Sequence, residues 1–238
     1  MINQYQKINN ITGWIVWLIA TLVFVTTMEG TASFWDCGEF ISAADKLQVV
    51  HPPGAPIFLM VGRMFTMLVG PDMVATMMNL FSALSSSFAV LFMFWTVTHI
   101  AKKMVIKGQE DFTKANITAV MGAGVVGGLT CTFMDSFWFS ASEAEVYALA
   151  MFFIALIVWS MTKWERVANQ PGSDRWILFI ALMTGLSVGV HLLSLLALPS
   201  LALIYYFKKY PFNWKGATVA FFVGIGILGI IFFGFLDW

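Results

Sequence analysis

Four short motifs hold most of the side chains in this sequence that can move a proton or grip a charged ligand. Trp35-Asp36-Cys37-Gly38-Glu39-Phe40 carries two carboxylates at i and i+3, so a helical turn beginning at Asp36 puts both on one face. His51-Pro52-Pro53-Gly54 follows; its prolines bias His51 toward an extended backbone and aim its ring. Further along, Glu143-Ala144-Glu145-Val146-Tyr147 supplies a second acidic pair, and Gly189-Val190-His191 a second histidine. A carboxylate pair at a water–membrane boundary can furnish a general base, its pKa lifted by the neighbouring charge and by partial desolvation. The same pair can bind a divalent cation. Gly38 leaves room for a close approach between them, and Trp35 suits the aromatic belt at headgroup level.

Simpler roles compete for the same residues. Asp45 and Asp72 suit solvated loop charges. Ser142 is placed to cap a helix start, and Glu143 and Glu145 would complement the positive end of its dipole, a sufficient cause for either. His191 fits a satisfied buried histidine as well as a ligand contact. Arg63 suits the grip of a lipid headgroup or phosphate, or simple snorkelling.

The elements that must position these groups follow from composition. With 59% hydrophobic residues, 11% charged and a mean hydropathy of +0.82, the chain lies far from the soluble norm of about 25% charged residues. Seven apolar segments, near 12–28, 74–100, 115–134, 146–162, 176–190, 195–207 and 216–235, approach the length needed to cross a bilayer. The first lacks a small-residue cleavage pattern and reads as an anchor. Ile57–Gly70 is apolar but short and contains Arg63, which suits an interfacial or re-entrant helix. Phe40–Val50 sets Phe40, Ile41, Ala44 and Leu47 on one face, with Ser42, Asp45 and Gln48 elsewhere. That amphipathic helix would lie on the membrane surface and end at Pro52-Pro53. The expected fold is an all-α, polytopic membrane protein of about seven transmembrane helices plus two interfacial helices. It forms a single transmembrane domain, 1–238, with an outer catalytic loop at 29–72. The stretch 176–207 reads as two helices meeting at His191.

Charge sets the orientation. With a cytoplasmic N-terminus, only Lys46 and Arg63 of the 13 basic residues lie outside, a strong positive-inside bias. Acidic residues divide the other way: Glu29, Asp36, Glu39, Asp45, Asp72, Asp135, Glu143, Glu145 and Asp237 lie outside. Carboxylates near a lipid core are costly, so this concentration marks a functional face. Cys37 and Cys131 are expected as free, packed thiols. The sequons at Asn10 and Asn116 fall inside, away from glycan transfer.

In order along the chain, the 35–40 motif, His51-Pro52-Pro53-Gly54-Ala55-Pro56, Asn79-Leu80, the 143–147 motif and Gly189-Val190-His191 resemble a bacterial membrane family common in Bacteroidetes-type bacteria. Its animal relative is a transmembrane protein O-mannosyltransferase. The resemblance covers about residues 12 to 207. It implies a GT-C-type glycosyltransferase that passes a sugar, mannose by analogy, from a polyprenyl-phosphate carrier to protein Ser or Thr hydroxyls. It implies Asp36 as catalytic base with Glu39 beside it. His51, Arg63 and His191 are the candidates to receive the leaving phosphate, and Glu143 and Glu145 to bind substrate. The expected partners are the lipid-linked donor, a protein acceptor and the bilayer, with no nucleic acid. No metal is required by this scheme, though a cation bridging Asp36 and Glu39 stays open. The expected setting is the bacterial inner membrane, with the active loop extracytoplasmic. Members of the family are usually longer, so the chain reads as an N-terminal portion. A transporter or lipid flippase, or a non-catalytic membrane scaffold, are the alternatives. The first would place ionisable groups at mid-membrane on broken helices.

Overall fold

Stripes of buried side chains, spaced a helical turn apart, dictate how the helices meet in the computed structural model, which describes residues 2–236. Helix α1 (Ile2–Thr27) buries Val16, Ala20 and Phe24 along one line, the i, i+4 row, and leaves Leu18 and Leu22 exposed on another side. After α2 (Cys37–Lys46) and α3 (Pro56–Thr66) comes a single 3-10 turn, Pro71–Met73, that leads into the long helix α4 (Val74–Val105). Helix α4 is the central post. It packs on α1, on α5 (Lys114–Thr132), on the short α6 (Asp135–Ser142) and on α7 (Val146–Val167).

Small buried residues on α4, Ser82, Ala83, Ser86, Ser87 and Ala89, let neighbouring backbones come close, the usual device where lipid removes the hydrophobic drive between helices. Helix α5 answers with Gly124 and Gly128. A Cβ on Gly124 would lie 2.5 Å from Thr98 Cγ2, and one on Gly128 2.9 Å from Val16 Cγ1. Two cores flank the post. One, around Phe24, Val90, Phe94 and Val120, joins α4 to α1, α5 and α6. The other, around Phe58, Met78, Phe153 and Trp164, joins it to α2, α3, α7, and on to α8 (Asp174–Val188) and α9 (Leu198–Lys209). Helix α10 (Trp214–Leu236) packs on α9.

The protein is all-α and an integral membrane protein. Among the described residues, six helical runs are long and apolar enough to cross a membrane: α1, Pro71–Val105, α5, α7, Leu192–Lys209 and α10. The other segment expected to span forms α8, whose 15 residues reach about 22 Å at 1.5 Å per residue, less than a hydrocarbon core of about 30 Å. The break expected at His191 is present: α8 stops at Val188, His191 is extended (φ −164°, ψ 137°), and a 3-10 stretch, Leu192–Ala197, runs into α9. Asp237, assigned to the outer side by charge counting, lies outside the described residues.

The surface helices differ from expectation in one respect. Phe40, Ile41 and Ala44 are buried on α2 as predicted, but Leu47 is 58% exposed. It adopts a left-handed backbone, and the N–H groups of Leu47 and Gln48 turn back onto the carbonyls of Ala44 and Ala43. This C-terminal closure ends α2 at Lys46, well before the two prolines.

Candidate active site

The loops between α1 and α2, α2 and α3, and α6 and α7 converge at one end of the bundle with the α8 break. Asp36 takes the N-cap position of α2, where its carbonyl accepts the Phe40 N–H at 3.0 Å. Its carboxylate, that of Glu39 and the His51 ring have ligand atoms within 4.8 Å of one another, so the i, i+3 face read from the sequence forms. Glu39 holds His51 twice: the backbone N–H donates to Oε1 at 2.7 Å, and Nδ1 lies 2.8 Å from Oε2. This fork lowers the Glu39 pKa and raises that of His51; charges on Asp36 and Glu145 push His51 the same way. Near neutral pH, His51 is therefore biased toward its cation.

The second acidic pair is more buried than a capping role requires. Ser142 caps nothing: it ends α6, and its hydroxyl donates to the carbonyls of Trp138 and Phe139 at 3.2 and 3.0 Å. The N-cap position of α7 belongs to Glu145, whose side chain makes no capping bond. Glu143 and Glu145 are only 3% and 8% exposed and face Cys37, whose Sγ lies 4.0 Å from Glu145 Oε1. Burial, followed by the charges of Glu143 and Asp36, pushes the Glu145 carboxyl up to about 7. Burial and the two glutamates push the Cys37 thiol up to about 12, so it stays neutral. Cys37 and Cys131 are both free and buried, as expected.

His191 completes the group. Its Nδ1 accepts the Leu193 N–H at 3.1 Å, which leaves the proton of the neutral ring on Nε2. Burial lowers its pKa, favouring that neutral form, and its ring lies 5.3 Å from that of Tyr147. The break carrying His191 is fixed by α3: the Ile57 N–H donates to the Gly189 carbonyl at 2.8 Å. A Cβ at Gly189 would lie 2.5 Å from Ile57 Cγ1, so this approach needs glycine. The 29–31 loop is fastened too. Asn79 Nδ2 donates to the carbonyls of Glu29 and Thr31 at 2.7 and 3.0 Å, and the Glu29 N–H to the Ser142 carbonyl at 2.9 Å.

Three cavities meet here. An apolar groove of about 890 Å³ is lined by Val50, Pro53, His191, Leu192, Leu196 and Phe232. A pocket of about 70 Å³ is lined by Asp36, His51, Glu145, Tyr147 and His191. An open cavity of about 760 Å³ is lined by Trp35, Asp36, Asp135, Glu143, Glu145 and Tyr147. His191 belongs to the first two; Asp36, Glu145 and Tyr147 belong to the last two.

Six of the seven candidate residues come together. Arg63 does not. Its guanidinium donates to Asp45 Oδ1 at 2.8 Å, to the Asp45 carbonyl and to Thr66 Oγ1, so it ties α3 to α2, and it lines none of these cavities. The sequence assigns no role to Tyr147 and only that of a packed thiol to Cys37, yet one lines two cavities and the other faces the buried glutamates. Their signal was adjacency to the acids. Two sets have the donors for a divalent cation: Asp36, Glu39 and His51; and Cys37, Glu143 and Glu145. In the first, both oxygens of Glu39 are already engaged by His51. In the second, neither carboxylate has a cationic side-chain partner among the described residues.

Comparison with known proteins places the same stretch in relation to others. The family described as Protein O-mannosyl-transferase TMEM260 N-terminal domain matches residues 36–214, a segment that contains all seven candidate residues. The mouse (Mus musculus) Protein O-mannosyl-transferase TMEM260 is 26% identical over 166 residues, covering 70% of this chain and 21% of that protein. The Dictyostelium discoideum Protein O-mannosyl-transferase tmem260 is 23% identical over 155 residues, covering 64% of this chain and 17% of that protein. The chain thus spans about a fifth of the length of these relatives. No solved structure matches it.

Proposed function

Because the chain belongs to the protein O-mannosyl-transferase TMEM260 N-terminal domain family, we propose that it forms the catalytic membrane part of a glycosyltransferase. The reaction moves mannose from a polyprenyl-phosphate carrier to Ser or Thr hydroxyls of a protein. The observation that carries this reading is the serial arrangement of the cavities: an apolar groove, a junction with two histidines and two acids, and an open acidic mouth.

Each part then has a task. The prenyl chain lies in the apolar groove, which holds the donor and turns an encounter into a near-unimolecular step. Its phosphate sits at the junction, where cationic His51 and the Nε2–H of His191 offset the charge that grows as the sugar departs. The acceptor hydroxyl enters through the open mouth. As its oxygen bonds to the anomeric carbon, the bond from that carbon to the phosphate oxygen breaks, and Asp36 takes the hydroxyl proton. Glu39 holds and charges His51. Glu145 places a second carboxylate beside Asp36, with a pKa suited to exchanging a proton near neutrality. Arg63 keeps α2 against α3 and so holds the turn that presents Asp36 and Glu39. The lysine-rich end is proposed to face the cytoplasm and the acidic end the outside of a bacterial inner membrane, following the positive-inside distribution.

The test is transfer itself. Membranes containing the full-length protein are incubated with radiolabelled mannosyl-phospho-polyprenol and a Ser/Thr-rich acceptor protein. Label that enters the acceptor and is released by β-elimination supports O-mannosylation. An acceptor that stays unlabelled while the donor is bound by the same membranes refutes it.

A further inference from the structure

The opposite end of the bundle holds a second polar cavity, of about 430 Å³, between the N-terminal turns of α1 and the C-terminal turns of α4 and α7. From its lining we infer a binding site for a phosphate group, presented by an anionic phospholipid headgroup or free in solution. The inference is independent of the transfer reaction at the acidic end.

Three cations line the cavity, Lys102, Lys163 and Arg166, and no acid does. Among the described residues none of the three pairs with a carboxylate. Glu165, next to Arg166 in the chain, is taken by Lys103 and by His99 Nε2, the latter at 2.9 Å. Arg166 turns Nε and Nη2 to His99 Nδ1, at 3.1 and 2.9 Å. The lysines are held over aromatic rings: Lys102 lies 5.0 Å from the Tyr5 centroid and 5.3 Å from that of Phe112, and Lys163 4.7 Å from Trp159. Three like charges fixed around one cavity repel each other, and an anion between them relieves all three at once.

The neutral lining points the same way. Trp95 Nε1, a donor, and Asn9 Oδ1, an acceptor, are both buried without a hydrogen-bond partner, and both residues line this cavity. With Gln6, Asn10 and Thr98, their side chains add uncharged polar surface beside the three cations. Trp14, 47% exposed, and Trp159 border the same space, giving the amphipathic surface that sits at headgroup level. Basic pockets between membrane helices are suited to anionic headgroups. A phosphodiester supplies the negative charge this lining lacks.

The test uses the 238-residue chain in detergent, titrated with phosphatidylglycerol, with phosphatidylcholine of the same acyl chains, and with inorganic phosphate, and read by native mass spectrometry and thermal shift. Phosphatidylglycerol is expected to bind about 10- to 30-fold more tightly than phosphatidylcholine, and Lys102→Gln/Lys163→Gln to abolish that preference. A thermal shift from inorganic phosphate alone that equals the lipid's, and is lost in the same variant, assigns the site to free phosphate. Because the double replacement also removes the lysine–aromatic contacts, Asn10→Asp is measured beside it; it adds a negative charge to the lining and is expected to weaken phosphatidylglycerol at least about fivefold. Equal binding of the two lipids with no response to phosphate, or a preference unchanged in both variants, overturns the site.

Discussion

At the scale of single residues, the account turns on environment more than on residue type. Glu145 was legible as an acid near a helix start, but not its depth, since Cys37, which packs on it, and Asp36, whose charge acts on it, reach it from the start of α2, for Cys37 a separation of 108 residues. Its carboxyl, raised from an ordinary 4.5 to about 7, binds its proton more tightly in the folded chain. The stability this contributes is therefore complete below about pH 4.5 and lost as pH rises through about 7. Glu145→Gln, which has no proton to lose, is expected to match wild type at pH 4.5 and exceed it above pH 7 by on the order of 2–3 kcal/mol in detergent melts. Equal stability across that window would remove the perturbed carboxyl from the account. Glu39 acts through His51. In Glu39→Gln the His51 pKa is expected to fall back toward 6.5, moving the alkaline limb of the pH–rate profile to lower pH. An unmoved limb would mean that the His51 cation plays no part. Arg63 shows the opposite limit: a lone arginine on an apolar helix looks free in sequence, and only the α2–α3 packing reveals Asp45 as its partner.

At the scale of elements, the apolar segments were legible because their lengths and their 3.6-residue stripes are local. Their ends were not. The α2 terminus at Lys46 depends on the left-handed Leu47 and two backbone bonds, which no hydropathy pattern encodes. From sequence alone Ser142 reads as the cap of the following helix because α6, only 8 residues long, leaves no periodic signal of its own. The joint between α3 and the α8 break is the element-level feature that most directly affects the site. Gly189→Leu is expected to force Ile57 away, break the Ile57–Gly189 bond and displace His191, lowering transfer at least about tenfold while helix content is retained. Ile57→Ala in the same chain removes the opposing carbons and is expected to restore part of the activity. Circular dichroism with kinetics checks both. Wild-type rates in Gly189→Leu would show that the joint does not position the site.

At the scale of the whole molecule, charge counting already separated an acidic end from a lysine-rich end, because the sign of each loop is readable without knowing its shape. The order of the three cavities was not readable. It requires α8 to stop short, the chain to break at His191, and Phe232 of α10 to reach the groove beside residues from the α2–α3 loop. Only the assembled bundle sets an apolar groove, a two-histidine junction and an acidic mouth in line, with Asp36 between the last two. The central claim is that Asp36 removes the acceptor proton there. It is tested most directly by Asp36→Asn in the full-length protein, measuring mannosyl transfer and donor binding on the same membranes. The account predicts that transfer falls by about 10²-fold or more while donor binding changes less than about threefold. Transfer at the wild-type rate, with the donor still bound, would contradict it.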